Sequence, residues 1–503
     1  MDLDGVRRQL RATARHSSET WQAVYRDALK RAYQQGQFEE IAEVAVLAAG
    51  RLEVQGRFDE CLAHLDYAIE LSATDRASLV HLLSVKAVFL AMAGQLEAAR
   101  RLLDEASIGQ LRSRKARLER ETHRAIVRCL SLEEAPIGEM TAPIARSERA
   151  GMDWLGSSLK SWLVPWLAAS GLRADALAWT DVLHAQALAT GHQWRAEDAV
   201  AFRMALESAT GSATVEPAEG ITNRNAVFRQ AATKTWIATI NTNAEQAALA
   251  AEQADLTLGL MPPDCARLSG VFSAFVKTHL YDEPWLPLAP PDTCTLLNLP
   301  IVLAASEAAA VGSSQARAAS WLECMRRMPN GITTALDWPT SVDRVRGLLL
   351  LRVGADQQAL AALGRAVRWA DSATHPFEAG LARVQLAEAI ALTGNRQAAH
   401  RYEGLRRGGR ERLRERGVDP RRAAYFVAQA IGLGRTSRVE PKLTAREVEV
   451  LAALADGLTY REAAIRLGIE WRTVRAHAHH IYSKLDASGK VRAIAAARRL
   501  QIL

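Results

Sequence analysis

Small and apolar residues recur at fixed intervals over the first four hundred residues of the chain. In three segments a Gly is followed by a small residue at position +5, a Leu at +9 and an Ala at +12. These segments are GRFDECLAHLDYA from Gly56, GQLEAARRLLDEA from Gly94 and GADQQALAALGRA from Gly354. The interval from Gly56 to Gly94 is 38 residues and that from Gly354 to Gly394 is 40, which suits one helix pair per repeat. The pattern predicts that each Gly ends a helix in a turn and that the small residues let the next helix approach its neighbours closely.

Residue usage favours the same interpretation, because Ala, Leu, Arg and Glu dominate this region and runs of β-branched residues are rare. The repeated segments resemble degenerate tetratricopeptide-like repeats, which stack into an α-solenoid with a concave binding face. We therefore expect an all-α chain with such repeats at residues 1–209. A second helical-repeat half is expected at 224–405, with a poor match at 224–345. The polar stretch 210–223, which contains Gly and Pro, is predicted to separate the two halves.

The pattern of residues 441–503 is different and predicts short, capped helices. Two Thr-x-x-Glu sequences have the form of a capping box, in which the Thr hydroxyl accepts a hydrogen bond from a first-turn amide and the Glu reaches back. They are Thr444 with Glu447 and Thr459 with Glu462. Gly457 is predicted to end the first helix and Gly468 the second, and a third is expected from near 470 to about 485. A helix, a tight turn containing Gly and a second helix form the geometry that places a recognition helix in the major groove of DNA.

The spacing and residue types of this segment resemble the LuxR-type helix-turn-helix. The matching residues are Leu443, Thr444, Arg446, Glu447, Glu449, Val450, Leu451, Gly457, Glu462, Ala464, Leu467, Ile469, Thr473, Val474, Arg475, His477, Ile481, Lys484, Leu485 and Ala493. The resemblance implies a four-helix DNA-binding domain at residues 441–503, which follows a basic connecting segment at 406–440. The chain is also similar to the C-terminal portion of MalT-like large regulators, without their ATPase module, because it contains no G-x-x-x-x-G-K-[ST] sequence.

The resemblance also implies roles for residues of the third helix. In the family, residues at the positions of Arg475, Ala476 and His479 face the groove, so these three are the candidates for base contact. An Arg guanidinium meets O6 and N7 of guanine together, and an Ala can contact a thymine methyl. Thr473 and Lys484 are expected to hold phosphates. Outward-pointing Arg472 joins them as a candidate backbone contact.

The fourth helix, at residues 490–500, corresponds in the family to the helix that makes the dimer contact. Its apolar residues Val491, Ile494 and Ala495 are the candidates for this contact. The alternative is that this helix packs within its own domain, and both can hold. A two-fold dimer would place two recognition helices on successive turns of DNA, which predicts an inverted-repeat operator.

Three residues depart from the family pattern. Glu470 occupies a position where the family usually has a capping Ser, Trp471 is unusual beside it, and His480 stands where Asn is common. They support an alternative hypothesis, in which the chain is a helical-repeat adaptor for a protein partner and its helix-turn-helix has lost specific DNA binding. A metal site at His477, His479 and His480 is not expected, because no further ligand of suitable spacing lies nearby.

The division of charge bears on the expected partners. Residues 401–503 carry 22 Lys and Arg against 11 Asp and Glu, whereas residues 1–400 carry 41 against 45. The basic surplus therefore lies at and beside the predicted DNA-binding segment. There, Lys and Arg could neutralise phosphates and release their counterions, which favours binding. The expected partners are double-stranded DNA and a second copy of the chain in a homodimer, and RNA polymerase is a further candidate.

Other functions have little support in the sequence. No phosphate loop, G-x-G-x-x-G, H-E-x-x-H or G-x-S-x-G sequence occurs, so we expect neither enzymatic activity nor a cofactor. The five scattered Cys residues, and the lack of a signal-peptide-like start or an apolar span approaching eighteen residues, indicate a soluble protein of the bacterial cytoplasm. It is expected at the nucleoid and not at a membrane.

These observations predict a sequence-specific DNA-binding transcriptional regulator whose repeat region senses a signal. By elimination, the signal is expected to be a peptide, a small molecule or a protein that binds the repeat region. Eleven of the twelve Trp residues lie before residue 401. Most of them are expected in the core, and any that line a concave surface would form an aromatic platform for an effector.

Overall fold

The computed structural model describes residues 18–106, 113–209, 221, 223–281, 283, 288–373, 375–393, 399–415, 418–431, 443–484, 490, 493, 494 and 497. These residues form α-helices joined by turns and irregular segments, and no β-strand occurs among them. The prediction of an all-α chain is therefore confirmed. Contacts divide the chain into two compact units, Met1–Ile431 and Gly432–Leu503.

The helices of the first unit follow one another with short connections. In its first half they are α1 (Ser18–Gln34), α2 (Phe38–Val54), α3 (Phe58–Leu71), α4 (Arg76–Met92), α5 (Leu96–Glu105), α6 (Arg114–Leu130), α7 (Ile137–Arg149), α8 (Asp153–Ala169), α9 (Arg173–Thr190) and α10 (Gln193–Ser208). Further along they are α11 (Arg224–Ile240), α12 (Ala244–Leu258), α13 (Pro263–Ala266), α14 (Val271–Tyr281), α15 (Leu299–Gly312), α16 (Gln315–Arg326), α17 (Val342–Arg352), α18 (Asp356–Ser372), α19 (Pro376–Leu392), α20 (Ala399–Arg414) and α21 (Pro420–Ile431).

Each of the three repeated segments forms the turn and the second helix of a helix pair. Gly56, Gly94 and Gly354 have φ angles of +76°, +79° and +81°, a conformation in which a Cβ would be strained. The residues at +5, +9 and +12 are all buried; they are Cys61, Leu65, Ala68, Ala99, Leu103, Ala106, Ala359, Leu363 and Ala366. From α2 to α10, each even-numbered helix packs against the next even-numbered helix as well as against the helix between them. The helix-pair interpretation is therefore confirmed at these segments.

One hydrophobic core extends along most of the first unit. It includes residues from Phe58 to Ala430, and Phe202 and Phe228 contribute to it from either side of the stretch 210–223. The proposed division into two repeat halves at that stretch stays a prediction. Among the Trp residues, Trp236 and Trp338 are fully buried in this core, whereas Trp154 is about half exposed.

An irregular segment at residues 327–341, between α16 and α17, runs through the interior of the first unit. Residues 334–341 are all buried. The Thr333 amide donates to the carbonyl oxygen of Ala169 (2.8 Å), and the Asp337 carboxylate pairs with Arg229 on α11 (3.2 Å). Because residues 327–341 are not helical, they interrupt the succession of helices in the part of the chain where the sequence matches the repeat pattern poorly.

Arg344, on α17, is fully buried and joins separate parts of the first unit. Its guanidinium donates to the carboxylates of Glu307 on α15 (2.7 Å) and Glu378 on α19 (2.6 Å), and to the hydroxyl of Thr340 (3.2 Å). The Thr340 hydroxyl also accepts a hydrogen bond from the Trp236 indole on α11 (3.0 Å). Burial lowers the pKa of Arg344, but the two carboxylates raise the pKa by more, so the guanidinium stays charged.

Helix α20 contains the first part of the basic segment 406–440 and packs against α19. Gly409 permits the close approach, because a Cβ there would lie 2.9 Å from the Val384 side chain and 3.0 Å from its backbone nitrogen. Arg406 and Arg410 also pair with Glu388 on α19, at 3.5 and 4.0 Å. Residues 416, 417 and 432–440 of the segment lie outside the described residues. The described residues of 406–431 therefore belong to the first unit.

The second unit contains α22 (Ala445–Ala455), α23 (Tyr460–Leu467) and α24 (Trp471–Lys484). Residues 490, 493, 494 and 497 are also helical, at the position expected for a fourth helix. Across the part of the chain that the structure describes, no helix combines the length and the apolar character needed to cross a bilayer.

Replacing Gly409 by Ala is expected to lower the free energy of unfolding by about 1–3 kcal/mol, because the new methyl overpacks the contact between α19 and α20. The control is Gly404→Ala in the same helix, where a Cβ would enter open space. This substitution should raise the free energy of unfolding by about 0.5–1 kcal/mol, because Ala is the better helix former. Denaturant unfolding of the full chain measures both values. A stabilising Gly409→Ala would contradict the packing.

Three buried histidines are expected to make stability depend on pH. Burial lowers the pKa of His123 to about 3, of His279 to about 4 and of His375 to about 3, from about 6.5 in the unfolded chain. Between these values each of the three histidines binds more protons in the unfolded chain than in the folded chain, so the contribution of these histidines to the free energy of unfolding falls as the pH falls from 6.5 towards 4. Each histidine should contribute a loss of about 1 kcal/mol by pH 5.5, which denaturant titrations measure as the difference between the wild type and a variant that lacks the histidine.

Two variants test the source of this pH dependence. His375→Gln removes one buried imidazole and should make the loss of stability in acid smaller. His192→Gln removes an exposed imidazole and should leave the loss as it is in the wild type. Equal pH dependence in the two variants would show that burial of His375 is not a cause.

Candidate nucleic-acid interface

The first two helices of the second unit begin at capping boxes. The Thr444 hydroxyl accepts from the Glu447 amide (3.3 Å), and the Glu447 carboxylate accepts from the Thr444 amide (2.7 Å). Thr459 and Glu462 form the same pair of bonds, at 3.4 and 2.8 Å. Each pair satisfies two amides that would otherwise lack a partner at the start of a helix. Both capping boxes predicted from the sequence are therefore confirmed.

A three-residue turn, 468–470, connects α23 to α24. Gly468 ends α23 with a φ of +64°, in the left-handed region that Gly favours. The Arg446 guanidinium, on α22, donates to the carbonyl oxygen of Leu467 (2.7 Å), the last residue of α23. This bond ties α22 to the end of α23, directly before the turn that leads to α24.

One face of α24 is buried against the other helices of the unit. Val474, Ala478 and Ile481 are fully buried, at the i, i+4 and i+7 spacing of a single helix face. They pack in a core with residues from every helical part of this unit, including Val450, Leu451, Leu454, Ala463, Ala464, Ala493 and Ala497. This core holds the opposite face of α24 outward.

The outward face of α24 carries four of the residues predicted to bind DNA. Arg472, Thr473, Arg475 and Ala476 are all exposed. Arg472, Arg475 and Ala476 have the i, i+3 and i+4 spacing that places them side by side on one face. The helix therefore presents two guanidinium groups beside a small apolar side chain, a combination that can contact phosphates and base edges.

The remaining predicted site residues are only partly described. His479 and Lys484 lie in α24, but their side chains are outside the described part of the structure, as are Val491 and Ala495 altogether. Ile494 is half-buried and packs against the core of its own unit. This contact agrees with the alternative that the fourth helix packs within its domain, and it leaves the dimer contact a prediction.

Two residues that depart from the family pattern lie at the start of α24. The Glu470 carbonyl accepts hydrogen bonds from the Thr473 and Val474 amides (3.0 and 3.1 Å), and its side chain is exposed. The Trp471 ring is 40% exposed, and the guanidinium carbon of Arg472 lies 5.8 Å from the ring centroid. At this distance a cation–π contact can orient Arg472.

Three features of the domain were not anticipated from the sequence. Ala478 is central to the core, although its small side chain gave little signal beyond its i+4 spacing from Val474. The hydroxyl groups of Tyr460 and Tyr482 lie 3.0 Å apart, which joins α23 to α24. Lys490 donates to the Leu458 carbonyl oxygen (2.9 Å), before α23. Such contacts depend on the assembled helices and not on local sequence.

Comparison with known proteins agrees with this geometry. Residues 441–497 match the family described as bacterial regulatory proteins, luxR family. The chain is 49% identical over 53 residues to the probable transcriptional regulatory protein SgaR of Hyphomicrobium methylovorum, which is 10% of this chain and 25% of that protein. It is 39% identical over 69 residues to the transcriptional regulatory protein YdfI of Bacillus subtilis (strain 168), which is 14% of this chain and 32% of that protein.

These matches are confined to a small part of each protein. The chain spans about a quarter to a third of the length of the curated relatives that it matches. No solved structure shows a significant match to it. The capped helices, the three-residue turn, the exposed face of α24 and the family match together identify residues 441–497 as a LuxR-family helix-turn-helix domain.

Proposed function

We propose that this protein is a transcriptional regulator that binds specific DNA sequences through its helix-turn-helix domain and senses a ligand or a protein partner through its helical-repeat region. The observation that carries the proposal is the exposed face of α24 with Arg472, Arg475 and Ala476. It lies opposite a buried apolar face, the arrangement of a recognition helix that enters a major groove. Such a regulator acts in the bacterial cytoplasm at the nucleoid.

The exposed residues of α24 have different proposed roles. Arg475 and Ala476, together with His479, read base edges, because their positions face the groove in the family that the domain matches. Thr473, Arg472 and Lys484 hold phosphates and set the register of the helix on the duplex. The cation–π contact with Trp471 restricts the Arg472 guanidinium before DNA binds, which reduces the entropy lost in forming its phosphate contact.

The first unit supplies the sensing function in this proposal. Binding of an effector shifts the protein between states that differ in their affinity for DNA, which requires the effector to bind one state more tightly than the other. RNA polymerase is a candidate partner of the DNA-bound protein. Enzymatic activity is not part of the proposal, because transcriptional regulators of this kind act by binding.

The base-reading role is tested by selection of genomic DNA fragments with the full chain and with Arg475→Ala. The wild type is expected to enrich fragments that share a sequence, and Arg475→Ala should lose about 1–3 kcal/mol of discrimination at one position of each half-site. Thr473→Ala should instead weaken binding to all sequences alike.

The matched control for charge is Arg466→Ala. Arg466 lies on α23, is exposed and pairs with Asp456, so its removal costs the same charge in the same domain. The Arg466→Ala variant should therefore have the same preference among DNA sequences as the wild type. If the wild type enriches no common sequence and all binding disappears with salt, only phosphate contacts remain. The adaptor hypothesis, in which the domain has lost specific DNA binding, would then replace this proposal.

A homodimer is expected on the selected DNA, with its two recognition helices one helical turn apart. The selected sites should therefore be inverted repeats whose half-site centres are separated by about 10 base pairs. Native mass spectrometry of the complex should give two chains per site, and a site with one half scrambled should bind much more weakly. Retention of full affinity by the scrambled site would show that one chain is sufficient.

A further inference from the structure

A small, partly enclosed cavity lies within the first unit, against α21. Its walls are mainly apolar and aromatic, with Trp236 on α11, Phe275 on α14 and Phe426 on α21. Its volume is about 30 Å³, which is room for roughly two water molecules. Arg344 and Glu307 of the buried charge cluster also line the cavity, so one wall is polar.

Two residues of the cavity lining, His279 and Glu307, each have a buried acceptor atom with no hydrogen-bond partner among the described residues. These atoms are Nε2 of His279 and Oε2 of Glu307, and the two residues are only 1% and 4% exposed. Buried polar atoms are usually paired, because an unpaired one has lost its hydration without replacement. A donor brought into the cavity by a ligand would therefore be stabilised at this wall.

The geometry of His279 shows that its free nitrogen accepts. Nδ1 lies 2.8 Å from the carbonyl oxygen of Phe275, and a carbonyl oxygen accepts only, so Nδ1 carries the ring proton. Burial lowers the pKa of His279 to about 4, and the imidazole is neutral at pH 7. Nε2 then has a lone pair and no proton. His279 Nε2 and Glu307 Oε2 are therefore both hydrogen-bond acceptors, and a ligand would have to supply a donor to pair with either of them.

The charges around the cavity favour an uncharged donor over an ion. Arg344 and Arg422 contribute two cations to the lining, and Arg344 is paired with the carboxylates of Glu307 and Glu378. The two guanidinium groups and the two carboxylates together carry no net charge. An ammonium or carboxylate group entering the cavity would therefore lose its hydration and meet no net opposite charge in return. A hydroxyl or a neutral N–H group avoids this cost.

We propose that this cavity binds a small uncharged molecule with an apolar or aromatic body and a hydroxyl or N–H donor, and that the molecule displaces α21 as it binds. A hydroxyl has one proton to donate, and Glu307 Oε2, the charged one of the two acceptors, takes it in preference to His279 Nε2. The body of the molecule packs against the aromatic side chains. This assigns a chemical class to the effector of the proposed regulator, and only its connection to DNA binding rests on that function.

Displacement of α21 follows from the size of the cavity. A benzene-sized molecule needs roughly 150 Å³, several times the present volume, so part of the wall has to move. Helix α21 contributes Arg422, Ala423 and Phe426 to the wall and is the last helix of the first unit, which ends at Ile431. Its movement would shift the residue from which the chain continues to the helix-turn-helix domain, and so connects the cavity to DNA binding.

The proposal is tested with phenol and toluene, which have the same number of heavy atoms and differ in the donor. Isothermal titration of the full chain without DNA, up to about 5 mM ligand, should show phenol binding. Toluene should bind at least about tenfold more weakly, because it leaves both acceptors unpaired. The absence of phenol binding, or equal binding of the two molecules, would overturn the proposal. This comparison needs no variant and is independent of whether the protein binds DNA.

Two variants with matched charge locate the site. Glu307→Gln removes the acceptor at the cavity wall and should weaken phenol binding at least about tenfold. Glu378→Gln removes the same charge beside Arg344 (2.6 Å), but Glu378 does not line the cavity, and binding should stay within about threefold of the wild type. If both variants lost the same affinity for phenol, the cause would be a less stable charge cluster around Arg344, and direct contact between Glu307 and the ligand would be contradicted.

Movement of α21 has its own measurement. Hydrogen exchange of the amides in residues 420–431 should become faster when phenol is bound, whereas α16, which contributes nothing to the lining, should exchange as before. Unchanged or slower exchange in α21 with phenol bound would contradict the displacement. Failure of any of these experiments leaves the tests of DNA recognition unaffected, and loss of sequence-specific DNA binding leaves the cavity unaffected.

Discussion

A charged guanidinium is held in the interior of the first unit because groups from separate segments share its donors. Removing Arg344 from water would be costly if Glu307, Glu378 and Thr340 did not replace its hydration. These groups come from α15, α19 and the irregular segment 327–341, so the three have to keep their positions relative to α17. The same cluster forms the polar wall of the cavity against α21. Stability and the proposed recognition of a ligand therefore depend on the same residues.

The helix starts and the turn of the helix-turn-helix domain are predictable from the sequence because their signals are local. A capping box spans four residues, and the turn at Gly468 depends on one residue that tolerates a positive φ. The cluster around Arg344 gave no comparable signal. Nothing in the sequence VDRVRGLLLLR distinguishes Arg344 from Arg346 or Arg352, and the partners of Arg344 are 37 and 34 residues away. Whether a charged residue is buried depends on which segments pack around it. The sequence pattern of a single helix does not contain this information.

Glycine has two roles in the first unit, and only one of them is visible in the sequence. At Gly56 it ends a helix with a positive φ, which the repeated pattern predicts. At Gly409 it lies inside α20, where it removes a side chain from the contact with α19. Gly inside a helix ordinarily destabilises the helix, because Gly has a low helix propensity. Close packing against a neighbouring helix offsets the low helix propensity of Gly in this case.

Helices α20 and α21 belong to the first unit, so the basic residues that they carry are not part of the DNA-binding domain. Residues 401–431 carry nine Lys and Arg against four Asp and Glu, and residues 432–503 carry thirteen against seven. Almost half of the basic surplus therefore belongs to the first unit, where Arg406 and Arg410 lie beside the Glu388 carboxylate. The number of ions that a duplex releases is set by the cations that reach its phosphates. Because Arg406 and Arg410 already lie beside a carboxylate, the charge counted along the sequence overstates the number of cations that are free to release ions from a duplex.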